Sequence, residues 1–135
     1  MAEQLIEQLM TGVRDGRTCP PEATAWHNTD QKVNPLTDSF AAVSALRVAL
    51  PDFRFDDLRC SSTADGRVSV AQYVLAGTLP DGSRLHVPAC LVVTAEDGVI
   101  IRCEEYLDAA PLLQVQALVG PAGPERRSTG VPDDS

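Results

Sequence analysis

Proton-transfer chemistry needs a titratable group held away from bulk water, and the segment VIIRCEEYL at residues 99–107 offers one. Side chains of an extended chain alternate between two faces. Val99, Ile101, Cys103, Glu105 and Leu107 therefore share one face, and Ile100, Arg102, Glu104, Tyr106 and Asp108 share the other. Glu105 stands alone among apolar neighbours. There a carboxyl group either finds partners or is desolvated, and desolvation raises its pKa toward the range of a general acid or base. Glu104 has Arg102 two residues away on its own face and reads as a solvated partner. Gln72 repeats the pattern upstream, with Val68, Val70, Val74 and Ala76 around its amide on one face. A buried amide needs partners, which a ligand, Glu105 or the backbone of a bulge would supply. Tyr73 falls on the alternate face and reads as packing. At the only tryptophan, Trp26 and Asn28 point one way and His27 the other. Trp26 would wall a pocket, and Asn28 would orient a carbonyl or a water.

Other chemistries find less support. No Ser-His-Asp or Cys-His spacing stands out around His27 and His86, although His86, close to the bulge-prone Pro88, is a candidate to face the pocket. The ADG, PDGS and EDG segments are hairpin turns and lack the strand-to-helix context that a phosphate-binding loop requires. Cys19, Cys60, Cys90 and Cys103 form no CxxC pair and have two histidines to help them, which argues against zinc and against a redox pair. No metal or cofactor is expected. Free thiols in apolar segments point to a reducing compartment, the cytoplasm. Lys+Arg of 11 against Asp+Glu of 19 leaves a net charge of −8, the wrong sign for gripping nucleic acid or anionic lipid. No run approaches the ~18 apolar residues of a membrane span, and MAEQLIEQLM lacks the basic start of a signal peptide.

The elements that must position these residues follow from periodicity. At 135 residues and 44% hydrophobic content the chain is one soluble domain. Leu5, Ile6, Leu9, Met10 and Val13 fall at helical spacing, predicting a helix from Ala2 to Arg14 stopped by Asp15 and Gly16. A Pro-punctuated stretch follows, extended around Trp26 to Asn28. A second helix begins at Thr37 or Asp38, carries Phe40, Val43, Leu46 and Leu50 on one face, and is ended by Pro51. From Phe53 the period becomes 2, and a bulge near Asp56 and Asp57 would keep Phe53, Phe55, Leu58 and Cys60 on one face. Strands at about residues 67–79, 84–95 and 98–107 complete an antiparallel meander. Asp108 can cap a last helix, Ala109 to Val119, which Gly120 would stop. Residues 1–119 thus form the domain, and residues 120–135, nearly without apolar content, read as a disordered tail. Helices segregated from an antiparallel sheet make an α+β domain, with room for a pocket between the layers.

The order of helices, the AWHN segment, LPDFRF, YVLAGTLPDG and EDGVIIRCEEYLD resemble the SnoaL-like and limonene epoxide hydrolase branch of the nuclear-transport-factor-2-like superfamily over about residues 1–119. The resemblance implies a cone: a bent antiparallel sheet of four to six strands wrapped on about three helices around an apolar cavity. It also implies a homodimer through the outer sheet face, where Ile100 and Tyr106 would contribute. In SnoaL-like polyketide cyclases one carboxylate on the last strand, matched by Glu105, abstracts a proton alpha to a carbonyl while the cavity folds the substrate. The leading expectation is therefore a cofactor-independent cyclase or isomerase of secondary metabolism acting on a hydrophobic small molecule. Glu105 would be catalytic, and Trp26, Asn28 and Gln72 would bind substrate. Epoxide opening is the alternative, and it resembles the limonene enzyme in the spacing of Trp26, Asn28 and Glu105. That enzyme carries an arginine and an aspartate where this chain has Gln72 and Val74. A third reading is a non-catalytic small-molecule-binding accessory protein.

Overall fold

The structure, a computed structural model, describes residues 1–119, so the expectations for Gly120 and the tail lie outside it. Helix α1 (Ala2–Thr11) buries Ala2, Leu5, Ile6 and Leu9, one stripe at 3.6-residue spacing. It stops earlier than the apolar periodicity predicts. Gly12 takes the left-handed conformation at φ 76° and its N–H caps the Gln8 carbonyl, which leaves Val13 exposed. At the other end the Ala2 N–H donates to the buried Ser69 hydroxyl at 2.9 Å, so the sheet caps the helix. After a loop come the short strands β1 (Thr24–His27) and β2 (Val33–Pro35), then α2 (Leu36–Ala49). Helix α2 packs Phe40, Val43 and Leu46 against the core and is closed by Leu50 before Pro51.

Strands β3 (Arg54–Ser62), β4 (Val68–Thr78), β5 (Arg84–Glu96) and β6 (Val99–Leu107) form the expected meander, and α3 (Ala109–Val119) closes the described chain. Its Ala110 N–H donates to Asp108 Oδ1 at 3.1 Å, the predicted cap. The sheet runs β2-β1-β6-β5-β4-β3. One correction is topological: β1 pairs with β6 in parallel, so the six-stranded sheet is mixed, not antiparallel throughout. The connection from β1 to β6 spans most of the domain, and such a long return can run either way along its neighbour.

Two bulges set which side chains face the helices. The expected one lies between Asp56 and Arg59, with Asp57 at φ 56°. Beyond it Cys60 pairs with Ala71 and so keeps the inner parity, but β3 is the sheet edge and Leu58 and Cys60 stay exposed. The second bulge was not legible in the sequence. Thr94 pairs with Arg102 while Ala95 pairs with Ile100, leaving Ile101 as the extra residue. Ile100 is consequently buried on the inner face, and Ile101, 42% exposed, lies outside. This corrects the expected placement of Ile100 on the outer face.

The inner face of β5, Leu85, Val87, Ala89, Leu91, Val93 and Ala95, is buried throughout. Through the uninterrupted register of β4 with β5 it brings Ser69, Ala71, Tyr73 and Leu75 to the same side. That register passes Val74 opposite Pro88 without a shift, so no bulge forms at Pro88, and His86 lies exposed on the outer face.

Candidate active site

Three polar side chains meet on the inner face. Glu105 stands on β6 opposite Leu91, and parallel pairing of β1 with β6 puts His27 directly beside it. The Nε2 of His27 lies 3.2 Å from Glu105 Oε1. Tyr73, on β4 and two strands from β6, reaches diagonally so that its hydroxyl donates to Glu105 Oε2. Glu105 thus takes the partnered branch of the sequence expectation, with a donor on each oxygen. Its side chain is 16% exposed and that of His27 is 29% exposed, so the cluster lies between the core and solvent.

The surroundings bias each proton. Burial, reinforced by the adjacent Glu105 charge, holds the Tyr73 phenol well above its ordinary value, so it remains a donor across the physiological range. The hydrogen bond to Glu105 raises the His27 imidazolium above its ordinary value; burial opposes this, and Asp30 adds a smaller upward pull. Burial pushes the neighbouring Cys103 thiol up to about 12, which makes it a packing group and no nucleophile. Phe55 meets the Tyr73 ring at a tilt, with centroids 5.1 Å apart, and Phe53 meets Phe55 edge-on at 5.8 Å, so the Tyr73 ring ends a run of three aromatic rings.

The other expected site residues lie elsewhere. The alternation at residues 26–28 holds, but the inner side chain is that of His27. Trp26 lies on the outer face, stacked on Tyr106 at 5.3 Å, and does not wall the cluster. Gln72 is exposed on the outer face, one position out of phase with Tyr73. Asn28 is spent on the backbone: its Nδ2 donates to the Leu107 carbonyl at 3.1 Å and its Oδ1 accepts from the Leu107 N–H at 3.0 Å. With the Asn28 N–H on the Glu105 carbonyl at 3.1 Å, that side chain extends the short parallel ladder by one step. Trp26 and Asn28, which carry the resemblance to the limonene enzyme, are thus both engaged away from the cluster.

His27 and Tyr73 were the residues missed. Both faces of β4 are aliphatic, so its own pattern cannot choose between Gln72 and Tyr73. The signal was in β5, whose apolar alternation is cleaner; carried across the 78–84 hairpin, it selects Tyr73. Two hollows, of ≈ 360 Å³ between α1 and the end of β3 and ≈ 490 Å³ between the ends of α1 and α2, are lined by neither Glu105, His27 nor Tyr73. Among the described residues no cluster of His, Cys, Asp and Glu could hold a metal ion.

No family model matches the chain, and no curated protein matches it. Solved structures match its architecture. A protein provisionally assigned as a SnoaL-like polyketide cyclase, from Jannaschia sp. CCS1, aligns with a TM-score of 0.61 at 20% identity, over 89% of this chain and 90% of that one. IdmH, provisionally a polyketide cyclase, from Streptomyces antibioticus, aligns at 0.67 and 15% identity over 86% and 95%. PrhC from Penicillium brasilianum NBRC 6234 gives 0.68 at 9% identity over 98% and 91%. The described residues have the SnoaL-like α+β cone fold: three helices against an open six-stranded mixed sheet. At these identities the likeness speaks for the fold alone, and the chemistry must come from the inner-face cluster.

Proposed function

We propose that the protein is a cofactor-independent enzyme of secondary metabolism, of the polyketide cyclase and isomerase type, whose acid/base chemistry turns on Glu105. The observation that carries this reading is the carboxylate on the inner face with Tyr73 on one oxygen and His27 on the other. Such an arrangement can shuttle one proton without metal or cofactor. Removing a proton alpha to a carbonyl gives an enolate, which attacks an electrophilic carbon within the same folded substrate or is reprotonated at a new position. Tyr73, kept protonated, donates to the carboxylate and steadies its charge. Phe53, Phe55 and Leu107, partly buried against the core, are apolar side chains in keeping with a hydrophobic ketone as substrate. Proton transfer by one placed group is worth typically ~10²–10⁴ in rate.

The fold of the solved neighbours and their provisional assignments support this reading. We place the enzyme in the cytoplasm, in keeping with its four free cysteines, and as a homodimer through the outer face, where Tyr106 and Ile101 are exposed. A monomer by light scattering at micromolar concentration would refute the dimer. Among the described residues no helix is long and apolar enough to cross a membrane. The test of the chemistry is exchange of the alpha protons of 2-tetralone for deuterium, followed by NMR. The wild type should accelerate it, and Glu105→Gln, folded by circular dichroism, should lose most of that acceleration. Equal rates would discard the proposed role of Glu105 and leave the site to a ligand-binding protein.

A further inference from the structure

From the geometry we infer that His27 is the residue that exchanges the proton with substrate, through Nδ1, while Glu105 is a positioning residue that fixes the ring and balances its charge. This rests on the proton-transfer reading of the same site and sharpens it to one atom. Both Glu105 oxygens already have donors, from Tyr73 and His27, and the carboxylate is the less exposed of the two titratable groups, at 16% against 29%. Its contact with His27 is made by Nε2. In the neutral ring a proton on Nε2 leaves the lone pair on Nδ1, and no side chain or backbone group among the described residues hydrogen-bonds that nitrogen. The imidazole is therefore held in one tautomer, with its basic atom on the side away from the carboxylate.

The groups that face this ring are consistent in sign. Glu105 on β6 adjoins it directly, Asp30 in the turn after β1 acts on it from a distance, and Tyr73 reaches the shared carboxylate from β4. The hydrogen bond to Glu105 raises the affinity of the ring for a proton, which brings a base toward neutral pH, where general bases work best. In the step itself the Nδ1 lone pair takes the proton from the alpha carbon. The C–H electron pair stays on the substrate as the enolate, and the imidazolium is balanced by the carboxylate across Nε2–H. Returning the proton from Nδ1 to carbon or oxygen restores the neutral ring, so nothing is consumed.

Two measurements decide the assignment. In ¹⁵N-labelled protein, neutral His27 should show Nε2 protonated and Nδ1 bare. Glu105→Gln should lower the His27 midpoint. Neutral His27 protonated on Nδ1, or a midpoint indifferent to Glu105→Gln, overturns the inference. In the 2-tetralone exchange assay the wild-type rate should rise with pH through the His27 midpoint, and His27→Gln should fall to background. A rate that is flat through the His27 midpoint, or that survives His27→Gln, makes Glu105 the direct base and also overturns it. Should the wild type fail to exchange 2-tetralone at all, the broader reading of the site falls, and the tautomer still decides which atom carries the lone pair.

Discussion

At the scale of single residues, the consequential side chain is the one whose role the sequence left as packing. Tyr73 is 2% exposed, yet its hydroxyl ends on a carboxylate, so its ring belongs to the core and its oxygen to the site. Tyr73→Phe keeps the ring, the contact with Phe55 and nearly all the volume. It removes one hydrogen bond to a charged acceptor, worth ~1.5–3 kcal/mol, and leaves Glu105 Oε2 facing apolar walls. Urea unfolding should show a loss of that order with an unchanged denaturant slope. The exchange rate should fall as well, while the His27 tautomer stays the same because its own bond is to the other oxygen. Loss of stability without loss of rate would confine Tyr73 to packing after all. Glu105 itself was legible as an isolated carboxylate on an apolar face, but its partners were not. Hydrogen-bonding partners in a sheet come from neighbouring strands, and single-strand alternation says nothing about which strand that will be.

Among the elements, the long ones followed from periodicity because each pairs by a tight hairpin with the next. The Asp56–Asp57 bulge was readable from a change of parity between Phe55 and Leu58. The Ile101 bulge was not, because Ile100 and Ile101 are the same residue type and either serves the core. The parallel strand β1 was the harder case. It is four residues long and pairs with a strand about eighty positions away, so no local signal specifies its register. Asn28 supplies that specification. Its two bonds to Leu107 lock β1 at the one register that puts His27 beside Glu105; a slip of one residue would put Trp26 or Asn28 there instead. Asn28→Ala removes two partly buried hydrogen bonds, each worth ~0.5–1.5 kcal/mol, and should destabilise by about 1–3 kcal/mol. Beyond that, the His27 midpoint should drift toward its ordinary value, because a loosened β1 no longer presents the ring to the carboxylate. Asn28→Asp, which keeps the acceptor and loses the donor, should fall between the two. A destabilised Asn28→Ala protein in which His27 titrates as in the wild type would show that β1 keeps its register without the clasp.

For the whole molecule, the shifted groups combine into a pH profile of stability whose limbs have different owners. Asp52, Asp65 and Asp81 are held below their ordinary values chiefly by hydrogen bonds from Thr78, from the Arg67 N–H and from Ser83 respectively. Groups lowered in the folded state contribute stability that is present above their unfolded pKa, near ~3.9, and lost as pH falls through the folded values. All three tie turns at the surface, so this acid limb should be shallow and sensitive to salt. The raised groups act in the opposite sense. His27 contributes fully below its unfolded value near ~6.5, and that contribution is lost as pH rises through its folded one. Tyr73, with an ordinary value of 10.0, and Cys103, pushed up from 9.0 to about 12, remain neutral in the core while the unfolded chain would already have released their protons. Stability should therefore be greatest between about pH 4.5 and 6.5, step down modestly near neutrality, and fall steeply above about pH 9. Urea unfolding across that range checks the shape, and two variants assign it. His27→Gln should erase the step near neutrality and leave the alkaline fall, whereas Tyr73→Phe should soften the alkaline fall, with the raised thiols of Cys103, Cys19 and Cys60 sustaining what is left of it. If Tyr73→Phe leaves the alkaline limb unchanged, the fold does not hold the phenol neutral beyond its ordinary range, and Tyr73 would not remain a donor to Glu105 in alkaline solution.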